Sequence, residues 1–425
     1  MNPRRKKSQR TKLLRNLAIV LGLALVVAAG AFAVLRSKPG PSGVDKNLTG
    51  VKQPTKTAAT PVPAVVTPKP VSDETCWMNY GRTPERTSDA SDFKWGPPAR
   101  PVWQLRMHSL MEFPPSTCDG KLYVNLANGF TVSVDSTTGK VLWRRKTGTI
   151  FDSTPAIGGD RLVIGGIDGN VTGLDRATGH TIWKLHMPGN VESSPLIIAN
   201  DVYVSSLDGH VYDVALSTGR VRWAYRTGGD IKGSPSVSGN LVYVANYAGE
   251  VVALKRTTGL LAWKRSYRLD PVRTERIYSS TPVADGLVVF GTVGGTVKAI
   301  DALTGVDRWS VSVGAYVYST PAISNGRVFA GGFDQRLHAY KLATGAPLFS
   351  TALGANVSGS PVVIGNLVYV STLHGQTYAI NTQTGSIVWK VAQGKYVPGI
   401  ATNKHIYLSL NGLLAAYVDA NGHVG

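Results

Sequence analysis

The sequence of 425 residues is poor in cysteine and in charged residues, and both shortages exclude classes of protein. Its two cysteines, Cys76 and Cys118, lie outside any C-x-x-C pair, so we expect neither a cysteine-based zinc site nor a thioredoxin-type centre. Charged residues make up 17% of the chain, too few for a coiled coil. G-x-S-x-G, H-E-x-x-H, Walker A and G-x-G-x-x-G motifs are all missing, so no common catalytic motif indicates an enzyme.

Acidic residues are scarce at the N-terminus, and this shortage explains much of the net charge of +19. The first 72 residues contain 13 Lys and Arg and a single acid, Asp45. A basic tail next to an apolar stretch is typical of a membrane topology signal. We therefore expect no nucleic-acid partner.

The N-terminus reads as a membrane anchor followed by a linker. Residues 1–16 form a basic tail, and residues 17–35 contain no charge, which corresponds to about 28 Å of helix and is enough to span a bilayer. We predict a signal anchor in the cytoplasmic membrane, with its N-terminus inside and the rest of the chain outside. The alternative is cleavage after Ala31-Phe32-Ala33 and secretion. Residues 36–75, rich in Pro and Thr, are expected to be a disordered linker.

The remainder of the chain is one motif repeated about every 40 residues. Thr-Gly turns recur with spacings of 40, 40, 40, 46, 40 and 40 residues, and an aromatic residue follows each glycine by four positions. Small residues before a proline and tight turns such as Asp168-Gly169 recur in the same phase. Short alternating strands lie between these markers, and four strands in about 40 residues are typical of a propeller blade. We predict an all-β, eight-bladed β-propeller over residues 101–425.

The two ends of the repeat region predict how the ring closes. The last unit has no aromatic strand, whereas Trp103 lies 40 residues before Trp143 with no unit of its own. We expect the strand of Trp103 to complete the eighth blade, which would remove an exposed edge.

The units resemble the tryptophan-docking repeats of the pyrroloquinoline quinone (PQQ)-like propellers, with the pattern A-x-D-x-x-T-G-x-x-x-W, as in residues 173–183. The resemblance implies that each aromatic ring lies against the Asp-to-Gly segment of a neighbouring blade. The residues in this slot are Trp103, Trp143, Trp183, Trp223, Trp263, Trp309, Phe349 and Trp389. A lead-in over residues 76–100 is also similar and is expected to pack on the propeller.

The cysteines leave two possibilities open. Cys76 lies in the lead-in and Cys118 in the first blade, so a disulfide is expected if the domain is outside the cytoplasm, and two free thiols otherwise.

Two kinds of PQQ-like propeller suggest different functions. Quinoprotein dehydrogenases bind PQQ and calcium and carry long insertions, whereas proteins resembling the outer-membrane assembly factor BamB are compact and bind other proteins. The regular units of this chain favour the second kind, a non-catalytic scaffold for a protein or an envelope polymer without a cofactor. A PQQ- and calcium-dependent alcohol or sugar dehydrogenase and a ligand-sensing propeller remain as alternatives.

Two sets of residues are candidate binding sites. The residues three positions before each proline marker should form a ring at the channel mouth, with three carboxylates on consecutive blades that could bind calcium or a basic peptide, or could simply line a hydrated channel. The ring consists of Glu112, Asp152, Glu192, Lys232, Ser279, Tyr318, Ser358 and Tyr396.

The second set lies in a six-residue insertion between blades four and five and could contact an anionic partner, or could be an ordinary solvated loop. It consists of Arg265, Arg268, Arg273 and Arg276. His210 and His374 lie at hairpin turns and are not expected to bind metal.

Overall fold

The computed structural model describes residues 42–45, 48, 50–53, 76–151, 153–396 and 398–419. The predicted signal anchor, residues 17–35, lies outside these residues, and so does most of the predicted linker. Within the described residues, no helix is long and apolar enough to cross a membrane.

Eight four-stranded antiparallel sheets follow one another along the chain, so the predicted all-β, eight-bladed propeller is confirmed. Three strands precede the repeats: β1 (Gly43–Val44), β2 (Asp89–Ala90) and β3 (Pro98–Arg106). Blade 1 comprises β4 (Ser116–Cys118), β5 (Lys121–Asn125), β6 (Phe130–Asp135) and β7 (Val141–Lys146). Blade 2 comprises β8 (Ala156–Gly158), β9 (Arg161–Gly165), β10 (Asn170–Asp175) and β11 (Thr181–His186). Blade 3 comprises β12 (Leu196–Ile198), β13 (Asp201–Ser205), β14 (His210–Ala215) and β15 (Val221–Arg226). Blade 4 comprises β16 (Ser236–Ser238), β17 (Leu241–Ala245), β18 (Glu250–Lys255) and β19 (Leu261–Ser266).

The second half repeats the same meander. Blade 5 comprises β20 (Val283–Ala284), β21 (Leu287–Gly291), β22 (Thr296–Asp301) and β23 (Asp307–Ser312). Blade 6 comprises β24 (Ala322–Ser324), β25 (Arg327–Gly331), β26 (Arg336–Lys341) and β27 (Pro347–Ala352). Blade 7 comprises β28 (Val362–Ile364), β29 (Leu367–Thr372), β30 (Gln376–Asn381) and β31 (Ile387–Val391). Blade 8 comprises β32 (Gly399–Ala401), β33 (Ile406–Ser409) and β34 (Leu413–Asp419), with β3 as its outermost strand.

The ring closes through the pairing of β3 with β34, in which Trp103 lies opposite Ala416. Blade 8 therefore takes three strands from the end of the repeats and one from their beginning. This pairing leaves no free edge between the first and the last repeat.

Aromatic rings join neighbouring blades at the repeated Thr-Gly turns. The ring of Trp143 covers Gly179 of blade 2, and a Cβ atom at that glycine would lie 2.7 Å from the ring. Gly179 has a φ of 73°, a conformation that favours glycine, so both the space and the backbone exclude a side chain here. The indole nitrogen of Trp143 donates to the carbonyl of Arg176 at 3.2 Å.

The same contact recurs around the ring. The further pairs are Trp103 with Gly139, Trp183 with Gly219, Trp223 with Gly259, Trp263 with Gly305, Trp309 with Gly345 and Phe349 with Gly385. Trp389 packs instead against Tyr417, with 6.4 Å between ring centroids.

Part of the expected linker has a place in the fold. Strand β1 pairs with the outermost strand β15 of blade 3, with Gly43 opposite Arg226, and Lys52 pairs with His186 of blade 2. Asp45 lies 3.3 Å from the Nε2 atom of His210. The expectation of a disordered linker over 36–75 therefore does not hold for these residues.

Candidate functional site

The channel has two ends, defined by the turns of the blades. The first strands of neighbouring blades contact one another, so they line the channel. One face of the ring carries the turns between the second and third strands together with the loops that enter each blade. In seven blades an amide of this turn donates to a carbonyl of the entering loop, for example Leu207 to Asn190 at 2.9 Å. We call this the mouth face, and the face that carries the Thr-Gly turns the opposite face.

The lead-in fills the channel at the end near the opposite face. It bonds to the innermost strands of seven blades in order, through its backbone in six of them, and we call residues 77–90 the plug. Trp77 exchanges two backbone hydrogen bonds with Thr117 of blade 1, and Asp89 and Ala90 of β2 pair in parallel with β28 of blade 7. In between, amides of the innermost strands donate to plug carbonyls or, in blade 3, to the side chain of Asn79. These donors are Ile157, Ile197, Val237, Val283, Ile323 and Val363.

Both ends of the plug are fastened. Cys76 and Cys118 form a disulfide across 42 positions of sequence, which ties its start to blade 1. Beyond its other end, the indole nitrogen of Trp95 donates to the carbonyl of Thr402 in blade 8 at 2.8 Å. Among the described residues, the one group of three potential metal ligands is Cys76, Cys118 and Asp119, and the disulfide removes its two sulfur ligands.

Arg86 is the buried centre of the plug. Its side chain has no solvent exposure, and its guanidinium donates to the carbonyls of Tyr80 and Ser194 at 2.7 Å and of Pro195 at 3.4 Å, and also to that of Pro235. Burial lowers the pKa of Arg86 to about 9, so the group is still charged at neutral pH. All four acceptors are backbone carbonyls, so one side chain joins the plug to blades 3 and 4.

A belt of hydroxyl groups surrounds the channel next to the plug, on its mouth side. Five hydrogen bonds join consecutive blades from blade 2 to blade 7. In each, a side-chain hydroxyl oxygen of one blade accepts a hydrogen bond from a backbone amide of the preceding blade, at 2.9 to 3.0 Å. We call these residues the hydroxyl girdle: Thr154, Ser194, Ser234, Ser280, Thr320 and Ser360. The phenol of Tyr80 donates to the oxygen of Ser360 at 2.7 Å, so the plug is bonded to the girdle. The sequence marker of a small residue before proline indicated these positions, but not their bonding.

The predicted ring at the mouth is only partly a carboxylate site. Lys232 donates to Glu192 at 2.6 Å, so this acid pairs with a cation of the next blade. Glu112 is half-buried, and Asp152 lies outside the described residues. Ser279 is buried, and its hydroxyl donates to the carbonyl of the next residue, Ser280. Ser358 is half-buried, and Lys395 lies over the ring of Tyr396 at 5.3 Å.

An aromatic cluster occupies the mouth face over blades 4 to 6. Ring centroids are 4.4 Å apart between Tyr247 and Tyr278, 4.8 Å between Tyr278 and Tyr318, and 4.8 Å between Tyr318 and Phe333. Tyr316 stacks on Tyr318 at 5.5 Å and is 50% exposed. Burial raises the pKa of Tyr318 to about 12, so its phenol is neutral. Of these five rings, the sequence had singled out only Tyr318.

The predicted basic loop is a short hairpin beside this cluster. Arg268 pairs with Thr274, and the carboxylate of Asp270 accepts the amides of Val272 and Arg273, which fixes the turn. The guanidinium of Arg273 binds Asp270 at 2.5 Å, and Val272 at the tip is 88% exposed.

Hydroxyl groups and a neighbouring turn hold the base of the hairpin. Buried Glu275 accepts the hydroxyls of Thr292 at 2.7 Å and Thr296 at 2.8 Å. Arg265 donates to the carbonyl of Gly305 at 2.7 Å, and the carbonyl of Arg276 accepts the amide of Val293. The arginines are therefore locally bonded, and the apolar tip lies on the mouth face next to the cluster.

Solved structures of other proteins have a fold similar to that of this chain. No curated protein matches the chain in sequence. Among solved structures, BamB from Moraxella catarrhalis is 18% identical, with a TM-score of 0.66 over 75% of this chain and 99% of that one. The quinohemoprotein alcohol dehydrogenase from Comamonas testosteroni is 14% identical, with a TM-score of 0.69 over 81% and 80%. The computationally designed Ika8 protein is 16% identical, with a TM-score of 0.63 over 75% and 100%.

These three likenesses show the fold alone, and all are to proteins of low identity. The family match is more specific, because it covers residues 127–294 and 293–422 and therefore most of the chain. The description of that family is outer membrane protein assembly factor BamB. Together with the PQQ-like repeats and the eight blades, this match shows that the chain belongs to the BamB-type family of PQQ-like β-propellers.

Proposed function

We propose that this protein is a non-catalytic scaffold that binds a protein partner or an envelope polymer on the mouth face of its propeller, outside the cytoplasmic membrane. The observation that carries the proposal is the aromatic cluster of Tyr247, Tyr278, Tyr316, Tyr318 and Phe333. Aromatic residues that are partly exposed and grouped at a rim are enriched at protein interfaces. The 88% exposed Val272 and the 46% exposed Leu269 of the adjoining hairpin extend the apolar surface.

The plug supports a scaffold over an enzyme. Residues 77–90 are bonded to the innermost strands of seven blades, in six of them through their backbone, so the chain itself fills that part of the channel. The charged group at its centre, Arg86, donates to four backbone carbonyls. A ligand is therefore expected to bind on the rim rather than deep in the channel.

Membrane attachment through residues 17–35 remains part of the proposal and rests on the sequence. A tether of this kind would hold the propeller near the outer surface of the cytoplasmic membrane. Alkaline phosphatase fused after residue 53 would be active if this topology is correct and inactive if the chain remains inside.

Site-specific photocrosslinking in cells tests the binding face. A benzoylphenylalanine at Tyr316 should give a defined crosslinked product, because this side chain is half exposed within the cluster. The matched control is Leu303, which is 77% exposed on a Thr-Gly turn of the opposite face. Equal crosslinking from both positions, or none from Tyr316, would contradict a partner on the mouth face.

The dehydrogenase alternative is tested separately by thermal unfolding of the purified chain with PQQ and calcium, singly and together. A ligand at 100 times its Kd stabilises a protein by about 2.7 kcal/mol. We expect no saturable shift of the Tm with PQQ. A saturable shift would overturn the scaffold proposal and would lead to assays of dye-linked alcohol oxidation.

A further inference from the structure

A cavity of about 600 Å³ lies on the mouth face where blades 7 and 8 meet the loop that enters blade 1. Three side chains that can carry positive charge line it: Arg106 at the end of β3, His108 in the entering loop and His374 on the turn of blade 7. Its described lining contains no Asp or Glu. The cavity is on the other side of the channel axis from the aromatic cluster of blades 4 to 6.

The turn residue at the position of His374 varies among the blades. It is an acid in blades 2, 3 and 6, as Asp168, Asp208 and Asp334, and His374 is the one imidazole among the eight turns. At the acidic turns the carboxylate accepts local hydrogen bonds, as where Asp208 accepts a hydrogen bond from the amide of His210 at 2.9 Å. In blade 7 this position instead carries an exposed imidazole, which can donate an N–H group to a ligand.

The loop position of His108 has a left-handed backbone, with a φ of 56°. The equivalent loop positions of blades 6 and 7 are Gly314 and Gly354, with φ of 80° and 74°. Glycine adopts this conformation at little cost, whereas a residue with a Cβ atom adopts it less readily. Ten other non-glycine residues of the described chain also have a positive φ, so the side chains that line the cavity, and not this backbone conformation, indicate binding.

We propose that this cavity binds the phosphate group of a small molecule. A guanidinium donates charge-assisted hydrogen bonds to phosphate oxygens, and the N–H group of an imidazole is a further donor to them. A volume of about 600 Å³ lies within the range of small-molecule sites, so space remains for an organic body beyond the phosphate. The proposal does not depend on the binding of a partner at the aromatic cluster.

Further charged side chains lie near the cavity, and most of them are basic. Lys146 donates to the carbonyl of Asn128, whose amide bonds to Ser109 of the lining, and Lys395 follows Gly394 of the lining. Glu112 follows His108 by four residues and is the nearest acid along that loop. The surroundings of the cavity therefore favour an anionic ligand over a cationic one.

The test measures the Tm of the full purified chain against increasing anion at constant ionic strength, with chloride as the reference. Inorganic phosphate and sulfate are the probes, because both are tetrahedral oxyanions. We expect both to give saturable shifts at pH 7. Glycerol 3-phosphate and glycerophosphoglycerol then distinguish a free phosphate ester from a lipid head group.

The variants are Arg106→Gln, His108→Asn and His374→Asn, singly and combined. Asn tolerates the left-handed conformation and occurs as Asn128 at the equivalent turn of blade 1, so these changes keep the fold. The triple variant should lose the phosphate-specific shift, and each single variant should weaken it. Lys341→Gln, an exposed cation at the end of β26, is the control for lost charge and should bind as the parent does.

His108→Gly separates binding from folding. Relief of the left-handed strain should raise the Tm in chloride, while the shift produced by phosphate should decrease. The proposal is wrong if phosphate and sulfate give no shift beyond chloride at pH 7, or if the triple variant responds as the parent does.

Discussion

The two ends of the channel are built on different principles. The end near the opposite face is closed by hydrogen bonds from the plug to seven blades, six of them through the plug backbone, and by the buried guanidinium of Arg86. The mouth end is lined by side chains that differ from blade to blade, acidic or basic over blades 3 and 4 and aromatic over blades 4 to 6. The first end is uniform because all blades present the same backbone, and the second can vary because it is not needed to hold the ring.

Along the channel axis, residues that stabilise the fold lie at the plug end, and residues available for binding lie at the mouth end. The hydroxyl girdle lies between the two ends and bonds both within the ring and to Tyr80 of the plug. Substitutions should therefore cost progressively less stability from the plug to the mouth, while their effect on partner binding should increase.

The largest loss of stability is expected from Arg86→Met. The substitution keeps much of the buried volume but leaves four carbonyls without their donor, and each lost partner costs about 1–3 kcal/mol. We expect a loss of at least about 4 kcal/mol in the free energy of unfolding, measured by urea denaturation. Arg86→Lys retains the charge and one donor group and should recover part of the loss. Equal stability of the parent chain and the Arg86→Met variant would show that the plug does not hold the blades.

Removal of the disulfide should have the next largest effect. The bond closes a loop of 42 positions, so the unfolded chain gains entropy when it is absent, and we expect the Cys76→Ser, Cys118→Ser chain to lose about 3 kcal/mol. Hydrogen exchange of the amides of Trp77 and Thr117 should increase more than that of blade 5. Equal exchange in both regions would mean that the plug start is held without the disulfide.

A single member of the girdle should matter less. Ser234→Ala removes the acceptor of the buried amide of Ser194, which costs about 1 kcal/mol. Ser238→Ala, at the half-buried end of the same innermost strand, is the matched control and should change stability by less than about 0.5 kcal/mol. Equal losses of stability in the two variants would show that the hydroxyl girdle does not join neighbouring blades.

The blades could be predicted from the sequence because their markers are local and obligatory. Gly179 must be glycine, since its φ is 73° and Trp143 covers it, and this requirement recurs at nearly constant spacing. The left-over strand of Trp103 indicated how the ring closes, because β-strands at an edge need a partner.

The plug and the aromatic cluster left no such signal. The plug bonds mainly through backbone carbonyls, which every residue has, including Pro84, so no side-chain pattern indicates its path through the channel. The cluster draws Tyr247 from a turn, Tyr278 and Tyr316 from two different positions of entering loops, and Tyr318 from the ring. Phe333 lies at the same turn position of blade 6 as Tyr247 in blade 4, but the other three rings occupy different places in the repeat, so an alignment of the units does not bring the cluster together.

The smallest effect on stability, and the largest on binding, is expected at the mouth. Tyr316→Ser removes a ring that is 50% exposed, so the free energy of unfolding should change by less than about 0.5 kcal/mol. The same change removes the outermost ring of the cluster, and truncation of an aromatic anchor at an interface often costs about 2 kcal/mol of binding energy or more. Crosslinking from a benzoylphenylalanine placed at Val272 should therefore decrease at least tenfold in the Tyr316→Ser chain, while Leu303→Ser on the opposite face should leave it unchanged. A loss of stability without a loss of crosslinking would assign Tyr316 to the structure of the rim, and the contrast between the two ends of the channel would no longer hold.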